Sequence, residues 1–204
     1  MKIFYFPSLI LLLVISGCAS QKNIEQLPQE PLHSKEQRAI QLAELTHWQI
    51  TGKLAFIEGK KRESASLFWQ FDEGLQSQKL SLTTYLGINV LSLTSKNGFH
   101  TIEADGEKYQ HDDLDYLIHS LTGLTLPVQA LHSWLKGISY LSSDKIIYDE
   151  QTQLPKTLVS DYDNRQWIIH YADYQHLNNH LLAKKITLKQ QNLMIKIHIN
   201  QWTL

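Results

Sequence analysis

From His47 to Gln110 the chain alternates apolar and polar side chains with a period of two, and turn signals interrupt it at short intervals. Trp48, Ile50, Gly52, Leu54 and Phe56 fall on one face, with His47, Gln49, Thr51, Lys53 and Ala55 on the other. Glu58-Gly59-Lys60-Lys61 turns the chain, and Ala65, Leu67, Trp69 and Phe71 form the apolar face of the next strand. Asp72-Glu73-Gly74, Asn97-Gly98 and Asp105-Gly106 are further turns, the last two of the kind that closes a tight hairpin. Period two belongs to strands with one face to bury, and turns this short join neighbours in antiparallel order. A succession of such strands has to curl until the apolar faces meet.

The same pattern resumes in segments 146–148, 155–162, 166–171, 184–189 and 194–202, with Asp163-Asn164 and Gln191-Asn192 as turns. In the last segment Ile195, Ile197 and Ile199 alternate with Lys196, His198 and Asn200. Residues 172–182 show no clean period and are expected to form a longer loop. Three stretches read as helices instead. Ser34-Lys35-Glu36-Gln37 is a capping box opening a helix through about Leu45, with Ala39, Ile40 and Ala43 expected inside. Asp112 or Asp113 caps a second, with Leu114, Leu117, Ile118 and Leu121 on one stripe and Gly123 as its stop. Pro127 starts a third, carrying Val128, Leu131, Trp134 and Leu135 up to Gly137. With one apolar stripe each, these helices should lie on the sheet or plug its mouth.

One hairpin breaks the rule for turns. In residues 78–95, Leu80 and Leu82 lead in and Leu91 and Leu93 lead out, but the tip is Tyr85-Leu86-Gly87-Ile88. A connection is expected to be polar. Three apolar side chains around one glycine either fold back into a core or touch something apolar outside the protein.

Residues 1–17 read as a signal peptide: Lys2 is followed by an apolar stretch too short to span a bilayer comfortably. The stretch ends Ile15-Ser16-Gly17-Cys18, the form of a lipobox, in which the cysteine receives diacylglycerol and, after cleavage, an N-acyl chain. Cys18 is the single cysteine, which excludes an intrachain disulfide and leaves lipidation as its role. Ala19 follows rather than an aspartate, so the outer membrane, on its periplasmic face, is the expected address. Residues 18–31 are polar with two prolines, a tether, and residues 32–204 suit one domain with its own core. The balance of 19 Lys and Arg against 20 Asp and Glu does not suit a nucleic-acid binder or a polybasic membrane binder.

No catalytic constellation stands out, and an enzyme is not expected. There is no G-x-S-x-G and no P-loop. Asp112, Asp113 and Asp115 gather at a helix start, where capping and dipole charge explain them. His176 and His180 have the spacing of a zinc pair but lack the glutamate of H-E-x-x-H, so no metal is expected. Arg38, Arg62 and Arg165 have no assignable anion partner. Trp69, Trp134 and Trp167 fall on apolar faces, either as packed core or as the lining of a lipid-sized cavity inside a curled sheet.

Taken in order, the lipobox, Phe68-Trp69-Gln70, Leu86-Gly87 between two strands, Tyr109 before the 112–121 helix, Leu121-Thr122-Gly123-Leu124 with Pro127, Trp134-Leu135-Lys136-Gly137, Asn164-Arg165-Gln166-Trp167 before Tyr171, and the ending 197–202 resemble the LolB family of outer-membrane lipoprotein receptors. The resemblance runs over most of the chain beyond the signal. It implies a mainly β fold, an incomplete, half-open antiparallel barrel of about eleven strands with a helical lid over an apolar cavity for acyl chains. Candidates to line that cavity are Trp69, Leu67, Trp134, Leu131, Trp167, Leu117 and Leu121. It further implies a monomeric receptor that accepts lipoprotein cargo from the periplasmic carrier LolA and inserts it among outer-membrane phospholipids. No nucleotide and no cofactor is implied beyond the acyl groups on Cys18. An exposed leucine on a protruding loop serves that insertion in the family, and Leu86 matches it, flanked by Tyr85, Gly87 and Ile88. Relatives often carry proline before that leucine. Tyr85 departs from this, and a less rigid tip is expected. Two other readings share the anchor: a lipoprotein binding some other apolar ligand, and a structural or assembly lipoprotein with no cavity.

Overall fold

A computed structural model describes residues 34–123 and 126–204. The expected signal peptide, Cys18 and the tether lie outside the described residues, as does Leu124. Eleven strands form one sheet: β1 (His47–Glu58), β2 (Lys61–Asp72), β3 (Ser77–Thr83), β4 (Asn89–Lys96), β5 (Phe99–Ala104), β6 (Glu107–His111), β7 (Lys145–Tyr148), β8 (Pro155–Tyr162), β9 (Arg165–Leu177), β10 (His180–Gln190) and β11 (Leu193–Thr203). Three helices accompany them: α1 (Lys35–Ala43), α2 (Leu114–Thr122) and α3 (Val128–Trp134).

The sheet order is β6-β5-β4-β3-β2-β1-β11-β10-β9-β8-β7, with each neighbouring pair antiparallel. Two meanders, β1–β6 and β7–β11, therefore join through the β1–β11 pair. The outer strands β6 and β7 do not pair, so the barrel stays open. The chain between them carries α2 and α3 and has to pass from one edge to the other across the apolar face. That face is the one the alternation marks: Trp48, Ile50, Leu54, Leu67, Trp69, Ile186, Leu188, Ile195, Ile197 and Ile199 are all buried.

β1 and β11 approach unusually closely at one point. Thr51 lies opposite Gln201 and Gly52 opposite Ile199, so Asn200 is an extra residue and the strand bulges. A Cβ on Gly52 would stand 2.1 Å from the His198 carbonyl oxygen. The glycine in an otherwise apolar row is there because no side chain fits.

Two expectations need correction. The capping box of α1 is present: the Ser34 hydroxyl accepts from the Gln37 amide at 3.2 Å and the Ser34 amide donates to Gln37 Oε1 at 3.1 Å. The buried face is only partly the expected one: Ala39 packs against the core, but the rest of the face is turned. Leu42 is buried, while Ile40 and Ala43 are exposed. Arg38 sets the rotation: its guanidinium donates to the carbonyls of Gly137, Lys136 and Leu181, each at 3.1 Å. Those oxygens at the end of α3 and on β10 take the place of the carboxylate that the sequence could not supply.

Residues 172–182 are not a loop. β9 runs on through Leu177, Asn178-Asn179 turns, and β10 returns, pairing Leu182 with Gln175 and Ala183 with Tyr174. The alternation is broken at Asp173, whose φ is 58°, and that single left-handed residue hides the strand from a periodicity reading.

Gly52→Ala is expected to destabilise the protein by about 1–3 kcal/mol through forced overpacking. Lys53→Ala, exposed on the opposite face, should stay within about 0.5 kcal/mol. Urea unfolding of the two variants measures the difference.

Candidate functional site

Between the inner face of the sheet and the two inner helices lies a cavity of about 500 Å³. This is within the range of about 300–1,000 Å³ common for small-ligand sites. Its walls are the inward residues of the strands: Leu54 and Phe56 from β1, Trp69 from β2, Leu80 and Leu82 from β3, Leu91 and Leu93 from β4, and Ile102 from β5. Leu188, Leu193, Ile195 and Ile197 close the β10–β11 side, and Ile118, Leu121, Leu126, Val128 and Leu131 form the helical cover. Charged side chains, Glu58, Lys61, Glu63 and Asp105, occur only where the hairpins turn.

Of the seven side chains expected along the cavity, Trp69, Leu131 and Leu121 line it. The other four are placed elsewhere. Leu67 and Leu117 are core residues, 3% and 4% exposed. Trp134 and Trp167 pack at a tilt of 46° with ring centroids 6.1 Å apart, and Tyr162 packs edge-on to Trp134 at 6.1 Å. Trp134 is fixed at both ends of its polarity: its indole N–H donates to Asp144 Oδ2 at 3.3 Å, and its carbonyl accepts from the Tyr171 hydroxyl at 2.9 Å. The strand leucines and isoleucines that supply most of the wall were missed. Their signal was present in the alternation, but an alternating strand does not say whether its apolar face meets side chains or an empty space.

The helix end that carries Trp134 is wedged into the sheet by an aromatic cluster. The His132 ring lies 4.0 Å from Phe71, 5.4 Å from Trp69 and 6.1 Å from Trp48. Trp48, fully buried, also packs on Trp69 at 5.4 Å and Trp202 at 5.7 Å. Gln78 Oε1 accepts from Trp69 Nε1 at 3.1 Å and from His132 Nε2 at 3.2 Å. An amide oxygen only accepts, so the proton of His132 sits on Nε2. Burial, with the nearby Lys136 charge, pushes the His132 pKa down to about 4. Lys136 in turn donates to the Leu45 carbonyl at 3.1 Å.

The tip between β3 and β4 is on the outside. Tyr85 is 91% exposed, Leu86 68% and Ile88 62%. Of the two possibilities for this apolar turn, the fold-back into the core is thus excluded. The tip is nevertheless braced without a proline. The Thr84 amide donates to the Ile88 carbonyl at 2.8 Å, the Gly87 amide to the Thr84 carbonyl at 3.0 Å, and the Ile88 amide to Thr84 Oγ1 at 3.2 Å. Gly87 takes a φ of 81°, where other residues are strained. On either side of it in the chain, Leu82, Val90 and Leu91 belong to the cavity lining, so the exposed tip stands at the rim of the cavity.

The remaining polar candidates have structural explanations. Asp113 caps α2, accepting from the Tyr116 amide at 2.9 Å. Asp115 is in the first turn, and burial beside Asp113 and Asp163 raises its pKa. His176 and His180 lie on separate strands on either side of the β9–β10 turn, not on a helix, and are not opposite each other: His176 pairs with Leu181 and His180 with Leu177. Among the described residues no group of His, Asp or Glu side chains could hold a metal ion, and no helix is long and apolar enough to cross a membrane.

Comparison with known proteins points one way. The family model for outer membrane lipoprotein LolB matches residues 46–202. The outer-membrane lipoprotein LolB of Pseudoalteromonas translucida is 32% identical over 97% of this chain and 93% of its own. That of Aeromonas salmonicida is 32% identical over all of this chain and 97% of its own. Among solved structures, a LolA superfamily protein from Nitrosomonas europaea shares the fold with a TM-score of 0.51 at 6% identity, over 82% of this chain and 93% of its own. A DUF1329 family protein from Desulfovibrio piger has a TM-score of 0.55 at 9% identity, over 80% of this chain and 89% of its own.

The buried neutral imidazole predicts a pH dependence. Unfolded, His132 titrates near 6.5, whereas folded it resists protonation down to about 4. Between those values the unfolded state binds more protons, so stability falls with falling pH by up to about 1.4 kcal/mol per unit from this residue. Urea unfolding between pH 7 and 4.5 should show that slope, and His132→Phe should flatten it. Equal slopes in both proteins would contradict the buried imidazole.

Proposed function

The chain belongs to the LolB family of outer membrane lipoproteins, and from that premise we propose that it is the acceptor that takes lipoproteins from the periplasmic carrier LolA and delivers them into the inner leaflet of the outer membrane. Its part in outer-membrane lipoprotein localisation follows from the family; the handover, the cavity's cargo and the tip's role are the proposal.

The observation that carries it is the position of the tip at the rim of the cavity. Leu82, Val90 and Leu91 line the space under the helices, and Tyr85, Leu86 and Ile88 stand exposed just beyond them. Each methylene held out of water is worth about 0.8 kcal/mol. Acylated cargo therefore needs a covered apolar path at every stage, and the cavity with its tip supplies one from interior to bilayer. A binder of a soluble apolar ligand gains nothing from an exposed Leu86, and an assembly lipoprotein gains nothing from the cavity.

Transfer runs without nucleotide hydrolysis and without catalysis, down a gradient of affinity from carrier to this protein to bilayer. The protein's own acyl groups on Cys18 hold a monomer at the destination, since two or more lipid signals give stable anchoring. Leu86 enters the leaflet and opens the way out of the cavity.

The test is a transfer assay. Labelled lipoprotein on the carrier is mixed with this protein, and the two are separated. Label should move to this protein, and adding liposomes should move it onward. Leu86→Glu should accept cargo within about twofold of the parent but insert it at least about tenfold more slowly, the cost of placing a carboxylate at an apolar contact. Label that never leaves the carrier overturns the receptor reading, and full insertion by Leu86→Glu overturns the role of the tip.

A further inference from the structure

We propose that the β1–β2 turn, residues 59–62, is a second membrane contact, binding anionic phospholipid headgroups beside the inserted tip. This rests on the reading above in taking the tip as the end that meets the bilayer.

The turn and the tip share a rim. β2 pairs with β3, so the β1–β2 turn is the next connection to the β3–β4 tip at the same end of the sheet. Lys61 and Glu63 line the cavity together with Leu82, Val90 and Leu91. Every residue from Glu58 to Ser64 is exposed.

The charges on the turn are not used up within the protein. Lys61 Nζ lies 3.0 Å from Glu63 Oε1, an exposed pair. Among the described residues, Lys60 and Arg62 have no ion-pair partner. On the other side of the tip, the β5–β6 turn is acidic, with Glu103, Asp105 and Glu107 exposed and only Lys108 to offset them, 3.9 Å from Glu103. The apolar tip is thus flanked on one side by Lys60, Lys61 and Arg62 against Glu58 and Glu63, a net positive turn, and on the other by a net negative one. The near-neutral total charge conceals this.

Exposed aliphatic and aromatic groups next to unpaired cations are the chemistry of an interfacial contact. The apolar groups enter the acyl boundary, and lysine and arginine reach headgroup phosphates. Near an anionic surface each such cation contributes about fivefold to binding. The acidic turn is repelled by the same surface. The rim therefore settles with its β1–β2 side down, and anionic lipid sets which side of the cavity mouth lies closest to the leaflet.

Amide hydrogen exchange of the full lipid-anchored chain tests this, in phosphatidylcholine vesicles with and without phosphatidylglycerol. Residues 59–63 should exchange about fivefold more slowly in the anionic vesicles, the net of Lys60 and Arg62 against Glu58, which is likewise unpaired among the described residues. High salt, or Lys60→Gln with Arg62→Gln, should abolish the difference while residues 85–88 stay protected. Equal exchange at the turn in both vesicles, with the tip protected, overturns this proposal alone. Slowing that appears only when the periplasmic carrier is added assigns the turn to an acidic protein surface instead and overturns it too. A tip that exchanges freely in every vesicle overturns the insertion reading and this proposal together.

Discussion

The neutral imidazole of His132, 4.0 Å from Phe71 and hydrogen-bonded to Gln78, holds the end of α3 against the inner face of the sheet. The rest of the architecture depends on that seat. An eleven-stranded sheet that does not close exposes one continuous apolar face unless something covers it. Among the described residues, the chain that runs between the two unpaired edges provides that cover. His132 and Trp48 fasten it to β1 and β2, Trp134 fastens it to β9 through Trp167, and Arg38 adds α1 from outside through the Gly137 and Lys136 carbonyls. All of these contacts gather at one end of α3. Toward the other end one exposed polar bond, from the Tyr140 hydroxyl to Gln129 Oε1 at 3.2 Å, accompanies the apolar contacts of Val128 and Leu131, and there the cavity begins.

That asymmetry relates fold to function. α2 presents Ile118 and Leu121 to the cavity; its cap is tied to β6, where the Asp113 amide donates to His111 Nδ1 at 2.9 Å, while the side that meets the cavity is apolar. A cover held by apolar contact can exchange one apolar neighbour for another at little cost, which an acyl chain provides. A cover pinned by buried hydrogen bonds cannot, because each broken bond leaves a desolvated group. The pinned end preserves the sheet's curl while the apolar end accommodates cargo.

Much of this was legible in the sequence, and the failures are specific. The strand pattern gave the antiparallel meander, because one buried face forces alternation. The polar-poor tip at Tyr85-Leu86-Gly87-Ile88 stands out in the sequence, but its alternation leaves open whether it folds back or faces outward, and only the resemblance to the LolB family puts Leu86 outside. The α1 face was misread because a periodicity argument puts arginine outside, whereas Arg38 finds three carbonyl acceptors that exist only after α3 and β10 are in place. The second half of β9 was lost to one left-handed residue, Asp173. Apolar faces leave Trp134 and Trp167 open between core and cavity, and the family resemblance placed them in the cavity. Their indoles pack on each other instead, because Asp144 and Tyr171 hold Trp134 by polar bonds that the sequence spacing does not reveal.

The most direct measurement of the central claim is where the acyl chains go. Lipoprotein cargo carrying a photoreactive group near the end of one acyl chain is loaded onto this protein and irradiated, and the cross-linked residues are mapped. The account places cross-links on the inner wall, at Leu93, Ile102, Leu131 and their neighbours, and none on the outward faces of the same strands. Cross-links confined to the outer surface, or to the tip without the wall, would contradict it.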